Sequence, residues 1–333
     1  MLRPDLAGKQ TSIKGAAMND ALNRRGFLKA TTALAAATLP AGLHAEPEPN
    51  LPTGPLPPPK TSLPTGRIGS VSFSRLMLGG NLISGYAHAR DLDYVAHLMK
   101  RYNTDAKIAE TLELAELHGI NAVNSWVRDG VTHFERHWKR GGKMRWIAQA
   151  RFTGDNGFDQ FKQAADLGAV AIHATGDAAD GLVQRGDLDT LARSLDVIRA
   201  RKCLAGIGAH GLGTIVACEK AGLKPDFYIK TFHSHDYHTA PRPDETGDLG
   251  RYDNSWCKDP EEVAEVMFNV RQPWIAFKVL AAGAIPPVRG FRYAFEGGAD
   301  FILVGMFDWQ IEENVRITKE VLASLKRTRP WRG

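Results

Sequence analysis

The chain has 333 residues, 43% of them hydrophobic, with 42 Lys and Arg against 37 Asp and Glu and a formal net charge of +5. Six basic and two acidic residues fall in the first 45, so residues 46–333 carry 36 against 35, a balance that gives no electrostatic footprint for nucleic acid. Three cysteines, Cys203, Cys218 and Cys257, are odd in number and far apart in sequence, which excludes a disulfide scaffold.

In chain order the first element is "NRRGFLK" (23–29), followed by the mildly apolar "ATTALAAATLPAGLHA". Paired arginines ahead of a weak apolar core resemble a twin-arginine export signal, which predicts a signal peptide over 1–45, cleavage after Ala45 and a periplasmic or extracellular destination. An apolar run of about 16 residues is too short and too weak to serve as a stable membrane anchor. Export through that machinery carries folded proteins, in keeping with cysteines that do not pair, and lets a metal or cofactor be loaded beforehand. Residues 46–65 hold eight prolines and no apolar periodicity, so they read as an extended linker, with the folded domain over 66–333.

Next, "GRIGSVSFSR" predicts a hairpin ahead of the repeating strands, placed to plug the N-terminal mouth of the domain. From Arg75 onward, eight apolar runs alternate with amphipathic ones: "RLMLGGN", "INAVNSW", "MRWIAQARF", "AVAIHATGD", "LAGIGAHG", "DFYIKTFHSH", "WIAFKVLAAG" and "DFILVGMFD". Continuous apolar strands suit a parallel sheet covered by helices. Eight strand–helix repeats predict an α/β fold of the (β/α)8, or TIM, barrel type, with a doubly wound open sheet as the competing arrangement. Two connections are too long to be simple turns, 82–103 and 237–259. Both leave the ends of strands and belong over the C-terminal face, where barrels keep their chemistry, and the second reads as a lid.

The segments "RIGSVSFSRLMLGGN", "AELHGINAVNSW", "IHATGD", "LAGIGAHGLGTIVACEKAG" and "VGMFDWQIEENV" resemble the aldo-keto reductases, over about Gly66 to Lys326. The resemblance implies a reductase whose tyrosine acid is supported by lysine and aspartate, with a histidine beside the substrate carbonyl. Carried over position by position, the aspartate becomes Asn124, the lysine becomes Gln149 or Arg151, no tyrosine follows "INAVNSW" within the "VRDG" turn, and only His173 matches. The residues after the last strand, Asp308 with two glutamates, do not suit an NADP phosphate, so NADP is not expected.

Candidate site residues come from the strand ends. His173, His210 and His233 close the fourth, fifth and sixth strands, and three imidazoles are the ligand set of a divalent metal such as Zn or Mn. Each also admits a plain reading as a hydrogen-bonded polar group in the barrel mouth. "FHSHDYHT" adds His235, on the same side as His233, with Asp236 and His238 at the rim. Lys230 and Lys278 stand in apolar strands, where an ammonium is costly unless it is paired or functional. The assignment is therefore catalytic roles for His173, Lys278, His235 and Asp236, with Lys278 stabilising an oxyanion or enolate. Asn81, Trp126, Arg128, Lys230 and Asp308 would bind substrate, and His173, His210 and His233 would hold metal.

These features describe an exported barrel enzyme acting on a small polar, sugar-like molecule by metal-assisted or acid–base chemistry, as a lyase, isomerase or hydrolase. The alternatives are a non-catalytic periplasmic ligand-binding barrel and an atypical NADP-dependent reductase.

Overall fold

Eight short strands, each leading into helical sequence, close on themselves. The computed structural model describes residues 51–154, 157–245 and 252–333; the export signal expected over 1–45 lies outside them. The barrel strands are β3 (Leu76–Gly79), β4 (Ala122–Trp126), β5 (Arg145–Ala150), β6 (Ala171–Ala174), β7 (Leu204–Ala209), β8 (Phe227–Thr231), β9 (Trp274–Phe277) and β10 (Phe301–Val304). Every neighbouring pair is parallel, and β10 returns to β3 through Ile302↔Leu76 and Leu303↔Met77. The open-sheet alternative is therefore excluded, and all eight predicted strands are present. Before them, β1 (Thr65–Ile68) and β2 (Val71–Ser74) form the antiparallel hairpin.

Side-chain alternation along the strands makes two cores. Met77, Ala122, Ile147, Ala171, Phe227, Ile229, Ile275, Phe301 and Leu303 fill the lower barrel, and Ile68 and Phe73 of the hairpin complete that cluster. The hairpin thus plugs the N-terminal mouth. Leu76, Leu78, Val123, Ile172, Ile207, Tyr228 and Trp274 face outward and pack with the helices. Local signals set the helix ends: the Thr104 hydroxyl accepts from the Lys107 N–H at 3.3 Å, Asp187 accepts from Thr190 N–H at 3.0 Å, and Pro260 opens the helix Pro260–Asn269.

The proline-rich segment departs from expectation at its end. Residues 51–64 form no helix or strand, yet Leu56 N–H donates to Arg140 O, Lys60 N–H donates to Leu117 O, and Leu63 is buried in the outer core. The folded body therefore begins ahead of Gly66. Proline removes backbone donors, but the N–H groups left in the segment find carbonyls at the ends of helices.

The C-terminal residues bind the same end of the barrel. Asp300, fully buried, accepts from Arg329 at 2.6 Å and Arg327 at 3.1 Å, and Arg329 also donates to the carbonyls of Met267, Gly298, Val270 and Gln272. A buried pair of this kind is tolerated because every donor has an acceptor. All three cysteines are free, and among the described residues no helix is long and apolar enough to cross a membrane.

Candidate active site

The barrel's strand ends set the floor of the site. In β4, β5 and β6 the inward positions above the lower core are Asn124, Gln149 and His173, with Gln149 opposite His173 in register. Gln149 Nε2 donates to Asn124 Oδ1 at 2.7 Å, and Asn124 Nδ2 donates to Ile147 O at 3.1 Å and to His173 Nε2 at 2.9 Å. His173 Nδ1 donates to Ala174 O at 3.0 Å. Burial drives the His173 pKa down to about 4, so this floor is a neutral hydrogen-bonded chain. It stands at the positions where the reductase resemblance implies a charged set, and it offers neither that charge nor a tyrosine proton donor.

Lys278 sits above the floor at the end of β9. Parity along the strand would send it outward with Trp274 and Ala276, which belong to the outer core. Instead its backbone is left-handed, φ 58°, which ends the strand. A left-handed non-glycine residue is a strained arrangement that its surroundings must hold in place. The amine lies 3.5 Å from the centre of the Trp256 ring and donates to His88 Nε2 at 2.7 Å. His88 Nδ1 in turn donates to Asp253 Oδ1 at 2.8 Å. The two long loops thus meet over the mouth, one bringing His88 and the other Asp253 and Trp256.

The electrostatics of this chain bring the amine's titration down to neutrality. Burial pushes Lys278 down to about 7, against which the Asp253 carboxylate acts in the opposite sense. Burial also lowers His88, opposed by its hydrogen bond to Asp253. No carboxylate lies within ion-pair distance of the Lys278 amine among the described residues. A deprotonated amine hydrogen-bonded to a neutral imidazole, itself held by a carboxylate, is an acid–base relay.

His210 borders the same space. Its ring centre is 4.9 Å from Trp256 and 5.5 Å from Phe277, and its Nδ1 is 3.4 Å from Asp180 Oδ2. Asp180 also accepts from the backbone N–H of His210 and from Thr214 Oγ1, which fixes the turn after β7. A cleft of about 240 Å³ opens beside it, lined by His210, Lys230, Lys258 and Glu262 among others.

The metal reading of His173, His210 and His233 is corrected by this geometry. Among the described residues no three His, Cys, Asp or Glu side chains are grouped to hold an ion. The reason is that both nitrogens of His233 are used by backbone: Nδ1 donates to Ser234 O at 3.1 Å, and Nε2 accepts from the N–H groups of Trp256 and Cys257 at 3.2 and 3.0 Å. Burial drives His233 down to about 3. His235 Nε2 donates to Cys257 O at 2.7 Å. His233 and His235 are thus clamps on the loop that carries Asp253 and Trp256, and His235 has its ring nitrogen committed there rather than to the relay.

The remaining candidates lie apart from the relay. Asp236 is exposed and ion-paired with Arg289 at the surface, and Arg128, 91% exposed, pairs with its neighbour Asp129. Trp126 lies under the Arg151 guanidinium, 5.0 Å from its ring centre, and Asn81 is half-buried at the start of the short helix Asn81–Ser84. Asp308 accepts from Tyr102 Oη at 2.7 Å and Lys107 Nζ at 3.1 Å, beside a separate groove lined by His118, Trp309 and Glu312. Lys230 keeps the outward register of Tyr228 and Phe232, and its amine donates to His210 O at 2.6 Å and Thr231 O at 3.0 Å. It is buried outside the barrel interior, where these carbonyls hold its amine.

No family model and no curated protein matches the chain. Among solved structures it is similar to two described as aldo-keto reductases from Pseudomonas aeruginosa, at 14% identity, with 79% of this chain and 96% of theirs covered and TM-scores of 0.40 and 0.41. It is also similar to a FabK variant from Thermotoga maritima, at 13% identity over 69% of this chain and 60% of that one, TM-score 0.41. A third likeness is to the N-acetylneuraminic acid synthetase of Leptospira borgpetersenii, at 11% identity over 81% and 94%, TM-score 0.42. These are distant likenesses that carry no argument about activity, and the barrel rests on its own strand pairing.

Proposed function

We propose that the protein is an exported barrel enzyme that moves a proton on a small polar molecule, as a lyase, isomerase or hydrolase, with Lys278 as the group that gains and loses it. The observation that carries this reading is the chain Lys278–His88–Asp253 at the C-terminal mouth. An amine that titrates near neutrality is matched to proton transfer at physiological pH, and His88 passes the proton between it and solvent. The buried Nε1 donor of Trp256, unpartnered among the described residues, offers a polar contact for a ligand beside the amine. Export rests on the paired arginines Arg24 and Arg25.

A direct test is solvent exchange. Small hydroxyaldehydes and hydroxyketones are incubated with the protein in deuterium oxide, and loss of the proton beside the carbonyl is tracked by NMR. Wild type should accelerate exchange in at least one of them, and Lys278→Met should lower that rate by a factor of at least about 100. Equal rates for the two proteins would overturn the reading.

A further inference from the structure

We infer that Lys278 is a covalent nucleophile whose amine condenses with the carbonyl of a small polar aldehyde or ketone, so that the substrate is held as a protonated imine. The inference rests on the acid–base reading of the same site and goes beyond it by naming the bond formed and the substrate class.

Three features of the geometry point to a nucleophile. The amine, the His88 imidazole and the Asp253 carboxylate are linked in series at 2.7 and 2.8 Å, the arrangement in which a base, held by a third group, strips a proton from an attacking atom. The amine is not spent on an ion pair, since the carboxylate of the chain is on the far side of His88. The face of Trp256, 3.5 Å away, is the surface on which a cation is stabilised, and a protonated imine at Nζ would keep the positive charge there. The left-handed backbone of Lys278 turns the side chain from the outer layer to this face, and the low-lying pKa supplies neutral amine at pH 7.

The step balances in atoms and charge. His88 takes a proton from the Lys278 ammonium, and the neutral amine attacks the carbonyl carbon. A C–N bond forms as the carbonyl oxygen takes a proton from nitrogen to become a hydroxyl. His88 returns its proton to that hydroxyl, which leaves as water, and the C=N bond carries the positive charge that the ammonium held. Nothing is oxidised or reduced.

The experiment is trapping at neutral pH. The full chain is incubated with glyoxylate or dihydroxyacetone and sodium cyanoborohydride, which reduces an imine to a stable secondary amine, and the adducts are located by peptide mass spectrometry. Lys278 should be modified at least ten times faster than the exposed Lys100 and Lys220, and His88→Gln should slow Lys278 at least fivefold while leaving those two unchanged. Modification of Lys278 no faster than theirs overturns the imine. Acylation by acetic anhydride, run in parallel, separates the two readings: a Lys278 that acylates as a neutral amine near pH 7 but gives no adduct leaves the acid–base reading standing, whereas one that does neither removes both.

Discussion

The amine of Lys278 lies 2.7 Å from Nε2 of His88, across 190 positions of sequence. Neither residue reaches the other by strand pairing. Lys278 gets there through a left-handed turn at the end of β9, and His88 through the long connection after β3. Asp253 and Trp256 arrive from a third segment, so the relay exists only when both loops are seated over the mouth.

Seating depends on His233. Its Nε2 accepts the N–H groups of Trp256 and Cys257, two loop donors with no strand partner. His233→Ala leaves them buried without an acceptor and should cost about 2–4 kcal/mol, read by chemical denaturation. The acylation rate of Lys278 at pH 7 should change in the same variant, because Trp256 and Asp253 lose their anchor. A His233→Ala protein with unchanged stability and unchanged Lys278 reactivity would show that the clamp has no such role.

Burial of Lys278 sets a pH dependence whose sign is fixed. Its ordinary pKa is 10.5 and its folded value about 7, so below pH 7 both states are protonated and the folded state bears the full cost of a buried ammonium. Between 7 and 10.5 the folded state sheds its proton first, and the cost falls to zero as pH rises. Lys278→Met should therefore be more stable than wild type at pH 6, by at most about 5 kcal/mol, with the gap narrowing by pH 10. Urea unfolding of both proteins at the two pH values reads this difference, and a gap independent of pH would contradict it.

The barrel was open to reading because each parallel strand is buried on both faces and so leaves a continuous apolar run, as in "FILV" of β10. Lys278 and Lys230 stood out for the complementary reason, a charge inside such a run, but their directions did not. Lys230 keeps strand parity and points outward, while Lys278 breaks it through a positive φ that only a glycine would have signalled. His88 and Asp253 were missed because a loop side chain's destination depends on the path of the whole loop. The one signal was that both long connections leave strands on the C-terminal face. His233 was misread as a ligand because an imidazole that accepts two backbone N–H groups looks the same in sequence as one that binds a metal.

The proposed export rests on the paired arginines Arg24 and Arg25. Replacing Arg24 and Arg25 together by Lys should hold the uncleaved chain in the cytoplasm, seen by fractionation and immunoblotting, while the wild-type chain is exported and shortened. Undiminished export of the double variant would contradict a twin-arginine route.

The most direct test of the central claim is the titration of the Lys278 amine in the folded protein. Competitive acylation with acetic anhydride from pH 5.5 to 11, quantified for the peptide containing Lys278, gives its midpoint. The relay predicts a midpoint near 7, moving lower in Asp253→Asn, because that carboxylate is the group that raises it. A midpoint near 10.5, unmoved by Asp253→Asn, would contradict the account.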